Sequence, residues 1–461
     1  MYIRKNIVPF LKSFIVAKLF ILSIILMSCS DDVDTSDNLD DGYKYITFTV
    51  STPYTATTYG ISAASENAVR SIDVLAFRVE GGEEIYTYRA VGEEIQDGGQ
   101  DLKKEFKVSL RKDENTDYRF VVIANAAEEL DELSLTQYSV KKNILSRLLS
   151  KNNDAWNSTS DSNFKPIPMW GETKNLMRIT ENVKRITDIN LLRVLVSVDV
   201  VVTPGTQANF KLNEVYLYNR KTRGRIVPIE SHFNPIDVKV TDASMPIDNP
   251  SEPLTIWEGL KYTAPNNTEL KKTIYTYEAP GVKKDEDVKA TCVVVGGLYK
   301  NKQTYYRLDF IEKEANGDFK AYADLLRNHR YTFTITSVTE KGYDTPDEAF
   351  FGKKIGMTAD IESWSMSDVS EVEVTEDYYL KVSRGVFDIK SAEAYSGMIT
   401  IQTDHPDGWS ASADSWISIT NIGSTYLNFS LSALPSGNRE GKIIIKVGNL
   451  TKAIMIKQSA S

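Results

Sequence analysis

Most of the chain after residue 45 alternates apolar and polar positions with a period of two, the pattern of strands with one buried face. Tyr45-Ile46-Thr47-Phe48-Thr49-Val50 is a short strand closed by Ser51-Thr52-Pro53. A second runs from Val69 to Val79, followed by a turn at Gly81-Gly82 and the strand-like Ile85 to Tyr88. Phe106 to Leu110 and Tyr118 to Ala124 form another pair around the polar stretch Arg111 to Asp117. Leu130 to Leu149 departs from this pattern. Apolar residues at helical spacing, Ile144 and Leu148 among them, predict a helix there, with a polar loop after it.

Strand patterns resume at Leu191 to Val202, Phe210 to Tyr218, Thr291 to Gly296, Thr304 to Ile311 and Tyr331 to Val338. A change of composition at Glu340 to Thr345 and the acidic stretch Ser363 to Asp377 set a boundary near residue 370. Another strand series then runs from Tyr379 to Lys457. Short strands separated by Gly, Pro, Asn and Asp predict a mostly β protein. The expected architecture is three β-sandwiches of Greek-key or immunoglobulin-like type in series, with a few short helices in the first. The expected divisions are 1–28, 29–43, 44–186, 187–370 and 371–461.

The first two divisions hold no sandwich. Residues 1–18 carry Arg4, Lys5, Lys12 and Lys18 without an acid, and an apolar run from Leu19 to Met27 follows. That run is far below the ~20 residues needed to span a bilayer and reads as the core of a signal peptide. Leu26-Met27-Ser28-Cys29 looks like a bacterial lipobox, with cleavage between Ser28 and Cys29 and acylation of Cys29; the alternative is an ordinary secretory peptide with an incidental cysteine. The acidic stretch Ser30 to Gly42 cannot bury a core and reads as a flexible tether. It resembles the surface-export signal of Bacteroidetes lipoproteins, which implies a surface-exposed position on the outer membrane.

Composition narrows the chemistry. Of 461 residues, 63 are acidic and 54 basic, a net charge of −9, so a nucleic-acid partner is not expected. With Cys29 acylated, Cys292 is the remaining thiol, and its apolar surroundings mark it as a core residue. His232, His329 and His405 are distant from one another, and no nucleophile elbow or phosphate-binding loop occurs. Neither an enzymatic activity nor a metal or other cofactor is expected. Carboxylate pairs such as Glu83-Glu84 read as solvated surface.

Several dispersed motifs carry a family resemblance. They include Val69 to Phe77, Pro168-Met169-Trp170-Gly171-Glu172, Leu192 to Val198, Asn213 to Asn219, Tyr306-Arg307-Leu308-Asp309 and Arg327 to Tyr331. In this order, after a lipobox and an acidic leader, residues 45–365 resemble the fimbrillin superfamily of Bacteroidales pilus lipoproteins. Residues 376–461 resemble the Bacteroidetes-associated carbohydrate-binding (BACON) module. The matching segments there are Gly408-Trp409-Ser410, Ser415 to Ile419, Gly437 to Gly441 and Leu450 to Gln458.

The first resemblance implies polymerisation by strand exchange, in which a subunit loses its first strand and a neighbour's terminal strand fills the groove. The candidate strand places Tyr45 or Ile46 and every second residue, Phe48 and Val50 among them, in that groove; a permanent first strand is the alternative. Stalk subunits are cleaved after an arginine, yet no arginine lies between Cys29 and Arg70. That departure points to a non-stalk role, and a chain ending inside its appended module points to the tip rather than the anchor. Other pilus subunits are the implied partners and the fimbrium the implied location. A glycan-binding lipoprotein that never polymerises is the competing reading. The second resemblance implies glycan contact, for which Trp409, Trp416 and Tyr426 are the aromatic candidates and Asp404, Asn438 and Arg439 the polar ones. Trp416 reads as core and Arg439 as a turn residue, which leaves Trp409, Tyr426 and Asn438 as the candidate set.

Overall fold

The computed structural model describes residues 42–459, apart from 54–62, 98–102, 153, 157–159, 236–237, 248–252, 314–318, 366–370, 375–378, 383–385, 390, 404, 424, 435 and 449. Ser28, Cys29 and Asp404 lie outside the described residues.

Two strands of the first sandwich show how sequence pattern becomes layer position. Tyr43–Ser51 buries Ile46, Phe48 and Val50 completely while the residues between them remain partly exposed. Ile72–Glu80 instead buries every residue from Ile72 to Phe77. One of its faces, Ile72, Val74 and Ala76, joins the core that holds Phe48 and Phe106. The other, Leu75 and Phe77, joins a second core with Leu130, Ile144, Trp170, Leu192 and Tyr275. Burial on both faces explains why this strand reads as a nearly continuous apolar run.

The sandwich is one sheet folded over. Its path runs Leu192–Arg193, Met169–Glu172, Asp113–Ala124, Ile72–Glu80, Glu83–Asp97, Lys103–Arg111, Tyr43–Ser51 and Arg185–Asn190. The long strand Glu83–Asp97 pairs first with Ile72–Glu80 and then, beyond Val91, with Lys103–Arg111, so it passes from one layer to the other. Gly92 marks the crossing: a Cβ there would lie 2.9 Å from the Phe106 ring and 3.1 Å from Ile72. The hairpin before it turns at Gly81 and Gly82, whose φ angles of 62° and 85° favour glycine.

The continuous helix expected over Leu130 to Leu149 does not form. Two short helices, Ala127–Glu132 and Lys141–Leu145, bracket a turn, and Leu149–Lys151 is a strand paired with Arg223–Arg225. Leu130, Ile144, Leu145 and Leu148 still reach one common core, so the apolar spacing reported burial but not continuity. A further helix, Pro346–Phe351, lies outside the first sandwich and starts with a capping box between Thr345 and Glu348.

The second sandwich faces the sheet Glu269–Thr276, Val196–Val202, His329–Val338, Met357–Ser365 with the sheet Leu260–Thr263, Phe210–Tyr218, Cys292–Tyr299, Lys302–Asp309. Cys292 is fully buried beside Tyr218 and Phe350, and burial pushes its thiol pKa up. The third sandwich has sheets ordered Glu371–Val374, Tyr379–Val382, Tyr395–Thr403, Tyr426–Leu431, Ile417–Ile422 and Val386–Ile389, Leu450–Ser459, Asn438–Val447, Ser410–Ala413. The last strand is internal to its sheet, parallel to Val386–Ile389 and antiparallel to Asn438–Val447.

Candidate functional site

The first strand is paired on both sides within its own chain. Lys103–Arg111 runs antiparallel along its whole length, with Phe48 opposite Phe106, and Arg185–Asn190 pairs with it in parallel. Phe48 stacks on Phe106 at 5.3 Å and meets Phe120 edge-on at 6.1 Å. Of the four exchange candidates, Ile46, Phe48 and Val50 share the core face. Tyr45 points the other way, its hydroxyl 3.4 Å from a Glu93 carboxylate oxygen.

Where this strand ends, the chain enters a buried polar cluster. The Arg193 guanidinium donates through Nη2 to the Pro53 carbonyl (3.2 Å) and Asn67 Oδ1 (2.6 Å), and through Nε to the Glu66 carbonyl (3.3 Å). The Glu66 carboxylate accepts from the Tyr275 hydroxyl and from Arg330 Nη2 at 3.3 Å. Asp199 accepts from the Lys272 backbone N–H at 2.8 Å and lies 3.8 Å from Arg330 Nε. All of these side chains are buried.

Burial works against each charge here, and the neighbours decide the outcome. For Glu66, burial pushes the pKa up, but Arg330, Arg193 and Lys272 together hold it below the usual carboxylate value. For Asp199, burial prevails over Arg330 and the pKa is raised. Lys272 is pulled down to about 8, chiefly by burial, with Glu66 opposing. Sequence reading missed this cluster, because its members are far apart in the chain and none sits in a recognisable motif.

In the third sandwich the three glycan candidates do not converge. Trp409 is half-buried against the core at the start of Ser410–Ala413. Ser410 pairs with Lys446, whereas the exposed Asn438 opens the same partner strand at its other end, roughly 27 Å away at strand rise. Tyr426 belongs to the opposite sheet, its hydroxyl accepting from Asn421 Nδ2 at 3.3 Å.

Trp416 and Arg439 also differ from expectation. Trp416 is half-buried rather than enclosed, and the Arg439 guanidinium lies 4.2 Å over its ring. Arg439 stands within the strand Asn438–Val447, not in a turn. Its Nε and Nη2 donate to Gln458 Oε1 at 3.0 and 2.6 Å, and Gln458 Nε2 donates in turn to the carbonyls of Ser391 (2.9 Å) and Glu393 (2.8 Å). Glu84, expected to be solvated, is half-buried and paired with Arg119 at 2.9 Å and Lys141 at 2.6 Å.

Comparison with known proteins locates this architecture. The profile of the family described as Fimbrillin-A associated anchor proteins Mfa1 and Mfa2 matches residues 39–369, and that of the BACON domain, a candidate binding domain, matches 407–459. Among solved structures, a candidate cell adhesion protein from Parabacteroides distasonis is 13% identical, with a TM-score of 0.39 over 70% of this chain and 100% of its own. One from Bacteroides eggerthii is 12% identical, with a TM-score of 0.36 over 70% and 96%. A candidate polysaccharide binding protein from Bacteroides thetaiotaomicron is 12% identical, with a TM-score of 0.29 over 63% and 92%. Likenesses this distant carry no functional argument. No curated protein matches the chain. The family match covers most of the chain and ties it to fimbriae at the cell surface: the protein belongs to the fimbrillin-A associated anchor family and carries a BACON domain near its C-terminal end.

Proposed function

We propose that this protein is a non-stalk fimbrial subunit, held to the outer membrane by acyl chains on Cys29, that keeps its own first strand and presents its C-terminal sandwich for binding. The observation that carries the proposal is Arg193. A cut at Arg70, the first arginine after the leader, would take away Pro53, Glu66 and Asn67, the bonding partners of that buried guanidinium. Arg193, Arg330 and Lys272 would then share Asp199 as the one carboxylate left from this cluster, and a buried charge without a partner is strongly destabilising. The strand is therefore retained, as a cell-proximal anchor or accessory subunit requires. Its role is adhesion and assembly, not catalysis.

The mature N-terminus on the cell surface tests this. Mass spectrometry should find acylated Cys29; a surface-located chain beginning at Ser71 would overturn the proposal. A tip position is the second reading, favoured by the strand Leu450–Ser459 being internal to its own sheet and so not free to be donated. Immunogold labelling of intact filaments separates cell-proximal from distal positions.

Glycan binding by the third sandwich centres on Trp409, because the other two candidates lie elsewhere on the module. A glycan array on the full chain without its leader should give a signal that Trp409→Ala reduces. Since Trp409 also packs on the core, the variant's melting curve has to be read alongside.

A further inference from the structure

Where the first two sandwiches meet, a cleft of about 720 Å³ opens between the Gly82 turn, the helix Lys141–Leu145, the strand Met169–Glu172 and the segment from Arg225 to Phe233. This volume suits a small ligand, and such sites favour the junctions between domains. One wall is aromatic: Trp170 and Phe233 meet edge-to-face at 4.9 Å. On another, the charges are matched, Glu84 with Arg119 and Lys141, and Glu172 with Lys141 at 2.7 Å.

Two lining groups stand out from this balance. The Trp170 indole N–H is buried and has no acceptor among the described residues. Arg225 is 9% exposed and donates to the carbonyls of Val227 (3.2 Å) and Ser146 (3.5 Å), and no carboxylate among the described residues pairs with it. The carboxylate it senses, Glu278, is bonded to Arg327 at 2.6 Å. Burial and Arg327 both pull the pKa of Arg225 down, as expected of a cation short of a counter-ion.

We propose that this cleft binds an acidic sugar residue, such as a uronic or sialic acid, with its carboxylate on Arg225 and its ring against Phe233 and Trp170. A buried guanidinium favours a bidentate carboxylate. The indole N–H supplies a donor for a ring or hydroxyl oxygen. Glu84 and Glu172, already neutralised by cations, accept hydroxyl donors but repel a second anion. One carboxylate with several hydroxyls on a compact ring meets all of these demands, whereas a neutral sugar leaves Arg225 uncompensated. The inference stands on the cleft alone, independent of the position the chain takes in a fimbrium.

The test is titration calorimetry of the full chain without its leader against glucuronate, N-acetylneuraminate, glucose and acetate. At least one acidic sugar should bind saturably, with glucose and acetate each weaker by about tenfold or more. Arg225→Gln should weaken the acidic sugar by about tenfold or more and erase its advantage over glucose. Trp170→Phe, which keeps an aromatic ring in the core, should weaken it by roughly threefold to tenfold. Should Arg225→Gln fail to fold, the ligand panel and Trp170→Phe still decide. Absence of saturable binding by either acidic sugar, acetate binding as well as they do, or unchanged binding in a folded Arg225→Gln would each overturn the proposal.

Discussion

The seam between the first two sandwiches and the interior of the third are built from different materials. Across the seam, Leu75, Phe77 and Trp170 share one core with Val227, Tyr275 and Tyr277, and buried ion pairs accompany it, Arg330 with Glu66 from one sandwich to the other and Arg327 with Glu278 within the second. The third sandwich draws its buried core from Leu380 to Ile456 alone, almost wholly Ile, Leu, Val and Phe. Its one buried polar side chain among the described residues is Gln458. Apolar contact tolerates sliding, whereas a buried charge is satisfied in few positions. The seam therefore fixes one arrangement of two sheets, at a desolvation penalty the third sandwich avoids.

The sharpest way to break this comparison is to strip one charge from the seam. Glu278→Ala leaves the Arg327 guanidinium without its carboxylate and should destabilise by about 3–5 kcal/mol. Urea unfolding followed by hydrogen exchange should show the loss in residues 42–365, with residues 380–459 protected as before. Equal loss of protection in both regions would refute the separation. The reciprocal experiment is Ile454→Ala, fully buried in the third core, which should cost about 2–5 kcal/mol and leave the seam's protection unchanged.

A smaller effect sharpens the electrostatic side. Lys272 has a native pKa of about 8, against about 10.4 for an unfolded lysine. Between these values the unfolded chain holds a proton that the native state has released, so stability rises with pH across that window. The penalty on the buried cation is fully present below it. From pH ~8 to ~9.5, before unfolded tyrosines ionise near 10, the gain should be on the order of 1–2 kcal/mol, read as the difference between the parent and Lys272→Met so that the opposing ionisation of Cys292 in the unfolded chain, common to both, cancels. A flat difference between the two profiles would mean that Lys272 stays charged in its site. Unfolding of the third sandwich should not follow this gain, since its core buries no ionisable group among the described residues.

How much of this could be read from the chain depends on the range of the physics involved. Ile46, Phe48 and Val50 announced a half-buried strand because alternation is local. The strand's neighbours, Lys103–Arg111 and Arg185–Asn190, are set by pairing across some 60 and 140 positions, which alternation does not encode. The helix expected over Leu130 to Leu149 failed for a related reason: two short helices and a strand can deliver the same apolar residues to one core. Arg193, Glu66 and Lys272 were silent, since a buried charge looks like a solvated one until its partners are known. Arg225 and Trp170 were likewise silent as a site, because the residues that frame their cleft come from both sandwiches.

The third sandwich has one polar clip of its own, and it separates two kinds of buried polarity. Arg439 spans from the Trp416 ring to Gln458, and Gln458 holds the carbonyls of Ser391 and Glu393. Arg439 is only half-buried, so its charge stays hydrated and its removal strands no ion. Arg439→Gln should therefore lower stability by about 1–2 kcal/mol, the combined scale of an exposed cation–π contact and solvent-screened hydrogen bonds from the guanidinium. Arg439→Lys should recover little, because a lysine cannot lie flat on the indole while bonding Gln458 through two nitrogens. Thermal unfolding of the two variants decides between surface clip and buried ion pair. A loss near that expected for Glu278→Ala would mean that Arg439 is a buried charge after all, and the contrast between seam and third sandwich would disappear.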